Sequence, residues 1–195
     1  GVQTCALPIC LDSPFTRYFG ATFRENLNGP ENEHPRAHGS ALASFGTNLL
    51  PIDYKPEGLA SPVLIYSYER TREALEHARR NGAPHPAHGY KMRYANPANG
   101  RHPFPTMAAA MQLLPAGFQG VSYRSTDGAV FAVVEGKGTA EVAGQTFAFG
   151  PRDIFVVPSW CAYRFTAETD CVIFDFSDRA AQEALGFLRE ETLAS

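Results

Sequence analysis

The sequence predicts a mainly β protein, an antiparallel barrel or jelly roll entered from an extended arm and closed by a C-terminal helix. Three observations predict it. From Met107 onward, short runs rich in β-branched and aromatic residues arrive at intervals of roughly 8–12 residues, separated by Gly, Pro and Asp turns. Ahead of them, residues 11–105 are rich in Gly, Pro, Asn and His and carry a single helical period. After them, SDRAAQEALGFLREE places Ala181, Ala184, Leu185 and Leu188 on one stripe, with Ser177 or Asp178 available as a cap.

In chain order, residues 1–10 (GVQTCALPIC) match nothing that follows and read as a non-native or disordered leader, which is set aside from the fold. Residues 11–66 hold apolar patches but little core of their own, and Pro51, Pro56 and Pro62 favour an arm lying on something else. Residues 67–81, with the helix itself near 69–81, put Ala74, Leu75 and Ala78 on one face. Glu76 and Arg80 are spaced as an i,i+4 pair, and Gly82 is a stop. Five prolines return residues 82–105 to turn chemistry. The strands are MAAAMQLLP, AVFAVVEG, GTAEVAG, QTFAF, DIFVVP, AYRFTA and CVIFDF, which place the barrel at 106–176 and the terminal helix at 177–195. Gly136-Lys137-Gly138 lies between two strands and reads as a hairpin turn.

Composition removes several function classes. The chain has 17 Lys+Arg, 20 Asp+Glu and a net charge of −3, without the basic face that nucleic acid requires. The charge is uneven, basic over 61–105 and acidic from 106 onward, as expected of a connector followed by a domain. No run of about 18 apolar residues predicts a membrane helix, and no secretory signal opens the chain. Cys5, Cys10, Cys161 and Cys171 fit neither a zinc pattern nor a disulfide framework, so a reducing cytoplasm is the expected compartment.

Residue chemistry alone yields no self-sufficient active site. All six histidines (His34, His38, His77, His85, His88 and His102) precede the barrel, and His85 and His88 read as solvated loop residues. There is no GxSxG elbow, P-loop or GxGxxG turn. Asp127 and Glu135 are suited to acid–base work, but nothing in the sequence brings them together.

Several long strings nevertheless resemble the C-terminal half of gentisate 1,2-dioxygenases and their salicylate and hydroxynaphthoate relatives, which are bicupin, ring-cleaving iron enzymes. They are NLLPIDYKPEGLASPVLIYSYERTREALE (48–76), GYKMRYANPANG (89–100), MQLLPAGFQGVSYRSTDGAVFAVVEGKG (111–138), PRDIFVVPSW (151–160) and FSDRAAQEALGFLREE (176–191). LDSPF at 11–15 resembles the segment where the family's N-terminal cupin ends. The resemblance implies a cupin, a double-stranded β-helix, and an Fe(II) enzyme that opens an aromatic ring with dioxygen. It places the iron in the N-terminal cupin, on a His-x-His pair and a third His.

With Glu135-Gly136 and Pro158-Ser159-Trp160 as anchors, the three ligand positions fall on Tyr123, Ser125 and Tyr163 in this chain. The resemblance thus implies no catalytic residue and no bound metal here, since Tyr and Ser do not replace imidazole at a ferrous site. It implies a role in packing against the missing N-terminal cupin and other subunits of a homotetramer, with a small aromatic acid as substrate of the whole enzyme. Arg93, Tyr94, Asn96, Arg124 and Trp160 are the interface or pocket candidates. Tyr123, Ser125 and Tyr163 are expected in a filled core, Arg124 outside the barrel against an acid, and Trp160 at the rim. A stand-alone cupin binding a small aromatic acid and a purely structural interaction module remain the other readings.

Overall fold

The computed structural model describes residues 39–47, 49–55, 60–63 and 65–193. The expectations for residues 1–10, LDSPF, Cys5, Cys10, His34 and His38 lie outside them. Among the described residues two helices precede the sheets: α1 (Ser40–Phe45) and α2 (Tyr68–Asn81). The sequence reads the first of these as extended arm. Phe45 decides otherwise by burying its ring against Tyr54, with centroids 5.1 Å apart. In α2 the Ser67 side chain caps Arg70 N, and Leu75 is fully buried. Glu76 pairs with Arg72 at 2.5 Å and faces Arg79 at 3.7 Å rather than meeting Arg80.

Ten strands follow: β1 (Tyr90–Arg93), β2 (Ala108–Leu114), β3 (Tyr123–Ser125), β4 (Ala129–Glu135), β5 (Gly138–Val142), β6 (Gln145–Phe149), β7 (Ile154–Val157), β8 (Tyr163–Ala167), β9 (Cys171–Ser177) and β10 (Glu190–Thr192). They form two antiparallel five-stranded sheets, ordered β1-β2-β9-β4-β7 and β10-β3-β8-β5-β6. The seven strand strings read from sequence are all present. β3 and β10 have only three residues, and β1, YKMR, lacks the apolar run that marks the equally short β7.

Two expectations need correction. The terminal helix, α3, covers only Arg179–Leu185; Gly186, at φ 74°, stops it, and the chain returns as β10 on the edge of β3. The Gly136-Lys137 link is not a hairpin, because β4 and β5 lie in different sheets. A register shift between Val133 and Glu135, followed by Gly136 at φ 84°, turns the chain from one sheet into the other. A Cβ on Gly136 would sit 2.1 Å from Asp170 O, so only glycine fits this corner. The true hairpin joins β5 to β6 through Ala143 and Gly144, both at positive φ.

Helix α2 covers part of the first sheet's outer face, where Leu75 packs on Met111, Leu113 and Val172. The core lies between the sheets. Phe131 of β4 meets Phe165 of β8 at 5.2 Å and Phe155 of β7 at 5.4 Å, and Phe149 completes the cluster. Burial of such rings contributes about 1.5–3 kcal/mol each.

Candidate functional site

Pleating decides what enters the barrel, because alternate residues of each strand face inward. Across the first sheet one inward row runs Arg93, Ala110, Asp175, Phe131 and Phe155. The next runs Ala108, Ser177, Ala129 and Val157. Small side chains dominate this end, and a cavity of about 850 Å³ opens where larger ones would fill it.

Opposite these rows, Tyr123 and Ser125 of β3 and Tyr163 of β8 line the same cavity. Tyr123, Ser125 and Tyr163 therefore converge and are buried, the two tyrosines within the core cluster, but they border open space rather than a filled core. Their chemistry is that of neutral hydroxyls. Tyr123 donates to Glu190 Oε2 at 2.6 Å, and burial, reinforced by that bond, pushes its phenol up to about 12. Burial, with the charge of Asp175 nearby, holds the Tyr163 phenol well above its usual range. Ser125 donates to Asp127.

Such groups do not fit Fe(II), which takes imidazole and carboxylate donors. Among the described residues no three His, Cys, Asp or Glu side chains converge as a metal site. Asp127 lines the cavity but Glu135 does not; Glu135 instead receives bonds from Tyr68 and Arg72 of α2. The two acids are not brought together.

His88 departs from its expectation as a solvated loop residue. Its ring stacks on His85 at 4.8 Å and meets Tyr123 edge-on at 4.4 Å, at the wall of the cavity. Burial, with Lys91, His85 and Arg179 adding positive charge, lowers its pKa to about 3, so it is a neutral imidazole. Its Nδ1 has no hydrogen-bond partner among the described residues. No sequence pattern singles out His88, because the contact is made by β3, 35 residues downstream.

The charged rim is tied by α3 and β10. Arg179 bonds Glu190 at 2.5 Å and Glu183 at 3.0 Å, while Glu183 also meets His102 Nε2 at 2.8 Å. Burial opposes the Arg179 charge, and the bonds with Glu190 and Tyr123 outweigh it, raising its pKa. Deeper in, Lys91 Nζ stands 2.9 Å from Asp175 Oδ2.

The remaining candidates divide. Arg93 reaches the cavity wall and donates to Gly100 O at 3.2 Å. Tyr94 faces the other way, packing beneath α2 and donating to Thr71. Asn96 is buried in the loop after β1, where its side chain accepts from Ala98 N at 2.9 Å. Arg124 points out of the barrel to Glu191 and lies 4.5 Å over the Trp160 ring. Trp160 stands at positive φ, half-exposed, with its amide donating to Ser125 O at 2.7 Å.

No family model matches the chain. It is 44% identical over 180 residues to a gentisate 1,2-dioxygenase of Aquipseudomonas alcaligenes, which takes in 92% of this chain and 52% of that protein. A Streptomyces gentisate 1,2-dioxygenase is 35% identical over 92% of this chain and 52% of its own length. Among solved structures, salicylate 1,2-dioxygenase of Pseudoaminobacter salicylatoxidans in adduct with gentisate superposes with a TM-score of 0.73 at 31% identity. The match covers 80% of this chain and 44% of that one. The chain thus spans about half the length of the curated relatives it matches, and its two-sheet, mainly β fold is cupin-like, as theirs is.

Proposed function

The chain belongs to the gentisate- and salicylate-type ring-cleaving dioxygenase family, and from that premise we propose that it is the metal-free, C-terminal cupin half of a gentisate 1,2-dioxygenase-like enzyme. In this reading the whole enzyme cleaves gentisate or a related hydroxybenzoate with Fe(II) and dioxygen in the cytoplasm. Residues 106–176 serve packing and subunit assembly, while residues 11–105 connect them to the iron-bearing cupin.

One observation carries the reading. The positions that the family resemblance aligns with iron ligands hold Tyr123, Ser125 and Tyr163, and two of these hydroxyls are committed to carboxylates within the chain. The outer face of the first sheet supports an assembly role. Ile154 and Val156 of β7 and Phe176 of β9 remain exposed beyond the reach of α2, at 70%, 58% and 39%. Apolar side chains gathered on a sheet face are the usual mark of a packing surface.

The test is iron loading under anaerobic conditions, followed by gel filtration, metal analysis and a gentisate-cleavage assay. The expected result is iron far below one equivalent and no ring cleavage by this chain alone. One equivalent of tightly bound Fe(II) would overturn the reading. Ile154→Asp is expected to weaken association with an iron-bearing cupin half, seen by sedimentation.

A further inference from the structure

We propose that the open end of the barrel is a binding site for a small uncharged phenol. It is a site that disfavours aromatic carboxylates. The assignment does not depend on the packing role above, since it rests on the cavity's own walls.

The cavity offers a slot for a ring. Phe131 and Tyr163 stand 5.5 Å apart at 57°, and Tyr123 meets Tyr163 at 5.7 Å and 80°. Tilted aromatic walls of this kind favour a further ring by edge-to-face contact. Ala108, Ala110 and Ala129 leave the opposite wall open.

The polar groups then select what the ring carries. Tyr163 is more than nine-tenths buried. Its hydroxyl has no hydrogen-bond partner among the described residues, and burial keeps its proton in place. Asp175 is equally buried and lines the same cavity. Its Oδ2 faces Lys91 Nζ at 2.9 Å, and a carboxylate oxygen beside one ammonium keeps a lone pair for a second donor. A buried donor and a buried acceptor left open in one cavity together describe the complement of a hydroxyl, which accepts from the first and donates to the second.

An aromatic carboxylate supplies no proton to Asp175 and adds a second negative charge. The Lys91 ammonium is already shared with Asp175 and the Arg93 guanidinium at the wall donates to Gly100 O, while Asp127, Glu190 and Glu191 add further carboxylates to the lining, so acids outnumber bases around the cavity. Arg179 is engaged by Glu183 and Glu190. Like charges at close range in a partly dry site are strongly unfavourable, so the cavity discriminates by charge.

The experiment is calorimetric titration of the full chain with resorcinol, an uncharged diphenol, beside benzoate and gentisate. Saturable resorcinol binding at one site is expected, with benzoate and gentisate each at least tenfold weaker. Tyr163→Phe keeps the ring, removes the donor and is expected to weaken resorcinol about tenfold. Ala110→Leu, which fills the slot, is expected to abolish binding with the thermal transition retained. Absence of saturable resorcinol binding by the wild-type chain would overturn the proposal, as would benzoate or gentisate binding as tightly. A folded Tyr163→Phe protein with unchanged affinity would do the same. If either variant fails to fold, the wild-type comparison of resorcinol with benzoate decides alone.

Discussion

The two ends of the barrel are built from the same strands and differ in what a step of two residues brings inward. Along β8 the inward side chains pass from Phe165 to Tyr163, and along β9 from Ile173 to Asp175 to Ser177. Along β4 they pass from Val133 through Phe131 to Ala129. One end is closed by phenylalanines in mutual contact, while the other keeps hydroxyls, carboxyls and alanines around a cavity. The difference teaches that stability and recognition are separated along the strands rather than between domains. The closed end supplies apolar burial, which frees the open end from having to pack.

The largest effect that would break this contrast is at the closed end. Phe165→Ala is expected to lower unfolding stability by about 3–5 kcal/mol, measured by urea denaturation, because Phe165 is fully buried and touches Phe131, Phe149 and Phe155. A loss no larger than that of Tyr163→Phe at the open end would erase the distinction.

The next concerns His88. Its pKa is lowered from 6.5 to about 3 on folding, so the unfolded chain binds the extra proton between those values. Stability is therefore full above pH 6.5 and falls as the pH drops through that window, by about 2 kcal/mol at pH 5. Folding also lowers the pKa values of Glu183 and Glu190 from 4.5, so their losses come at lower pH and are separable. His88→Phe is expected to flatten the profile between pH 6.5 and 5. A wild-type chain equally stable at both pH values would place the imidazole in solvent.

A smaller effect of opposite sign is expected at Gln112. Its side chain is fully buried on β2, and neither amide atom has a partner among the described residues. Gln112→Leu is expected to raise stability by about 1 kcal/mol, seen as a higher urea midpoint at constant slope. Smallest is Arg124→Ala, outside the barrel. Its ion pair with Glu191 and its contact with Trp160 are both partly exposed, so the loss should stay below about 1 kcal/mol.

The strands legible in the sequence are those with an apolar run between turns. AVFAVVE reads as β4 because it is a continuous apolar run, rich in valine and phenylalanine, bounded by Gly128 and Gly136. β10 is three residues, EET, whose pairing is with β3 some 65 positions earlier, so no local pattern reveals it. Leucines and alanines in SDRAAQEALGFLREE suggest a longer helix than α3, because periodicity is blind to the turn that Gly186 imposes. The hairpin expected at Gly136-Lys137 fails for a related reason. Glycine signals a turn of the chain, but the partners available to β5 decide whether it folds back or crosses to the other sheet.

The candidate site divides in the same way. The sequence by itself determined that positions 123, 125 and 163 carry hydroxyls, that short apolar runs alternate with turns, and that no histidine lies in the barrel. Those are properties of residue type and spacing. Only the tertiary structure decided that Tyr123, Ser125 and Tyr163 surround open space, that His88 is half-buried against Tyr123, and that Lys91 meets Asp175. Each of these joins elements far apart in the chain. A cavity is set by the side chains that are too small to close it, here Ala108 and Ala129 in one inward row and Ala110 in the next, rows that exist only once β2, β9 and β4 are in register.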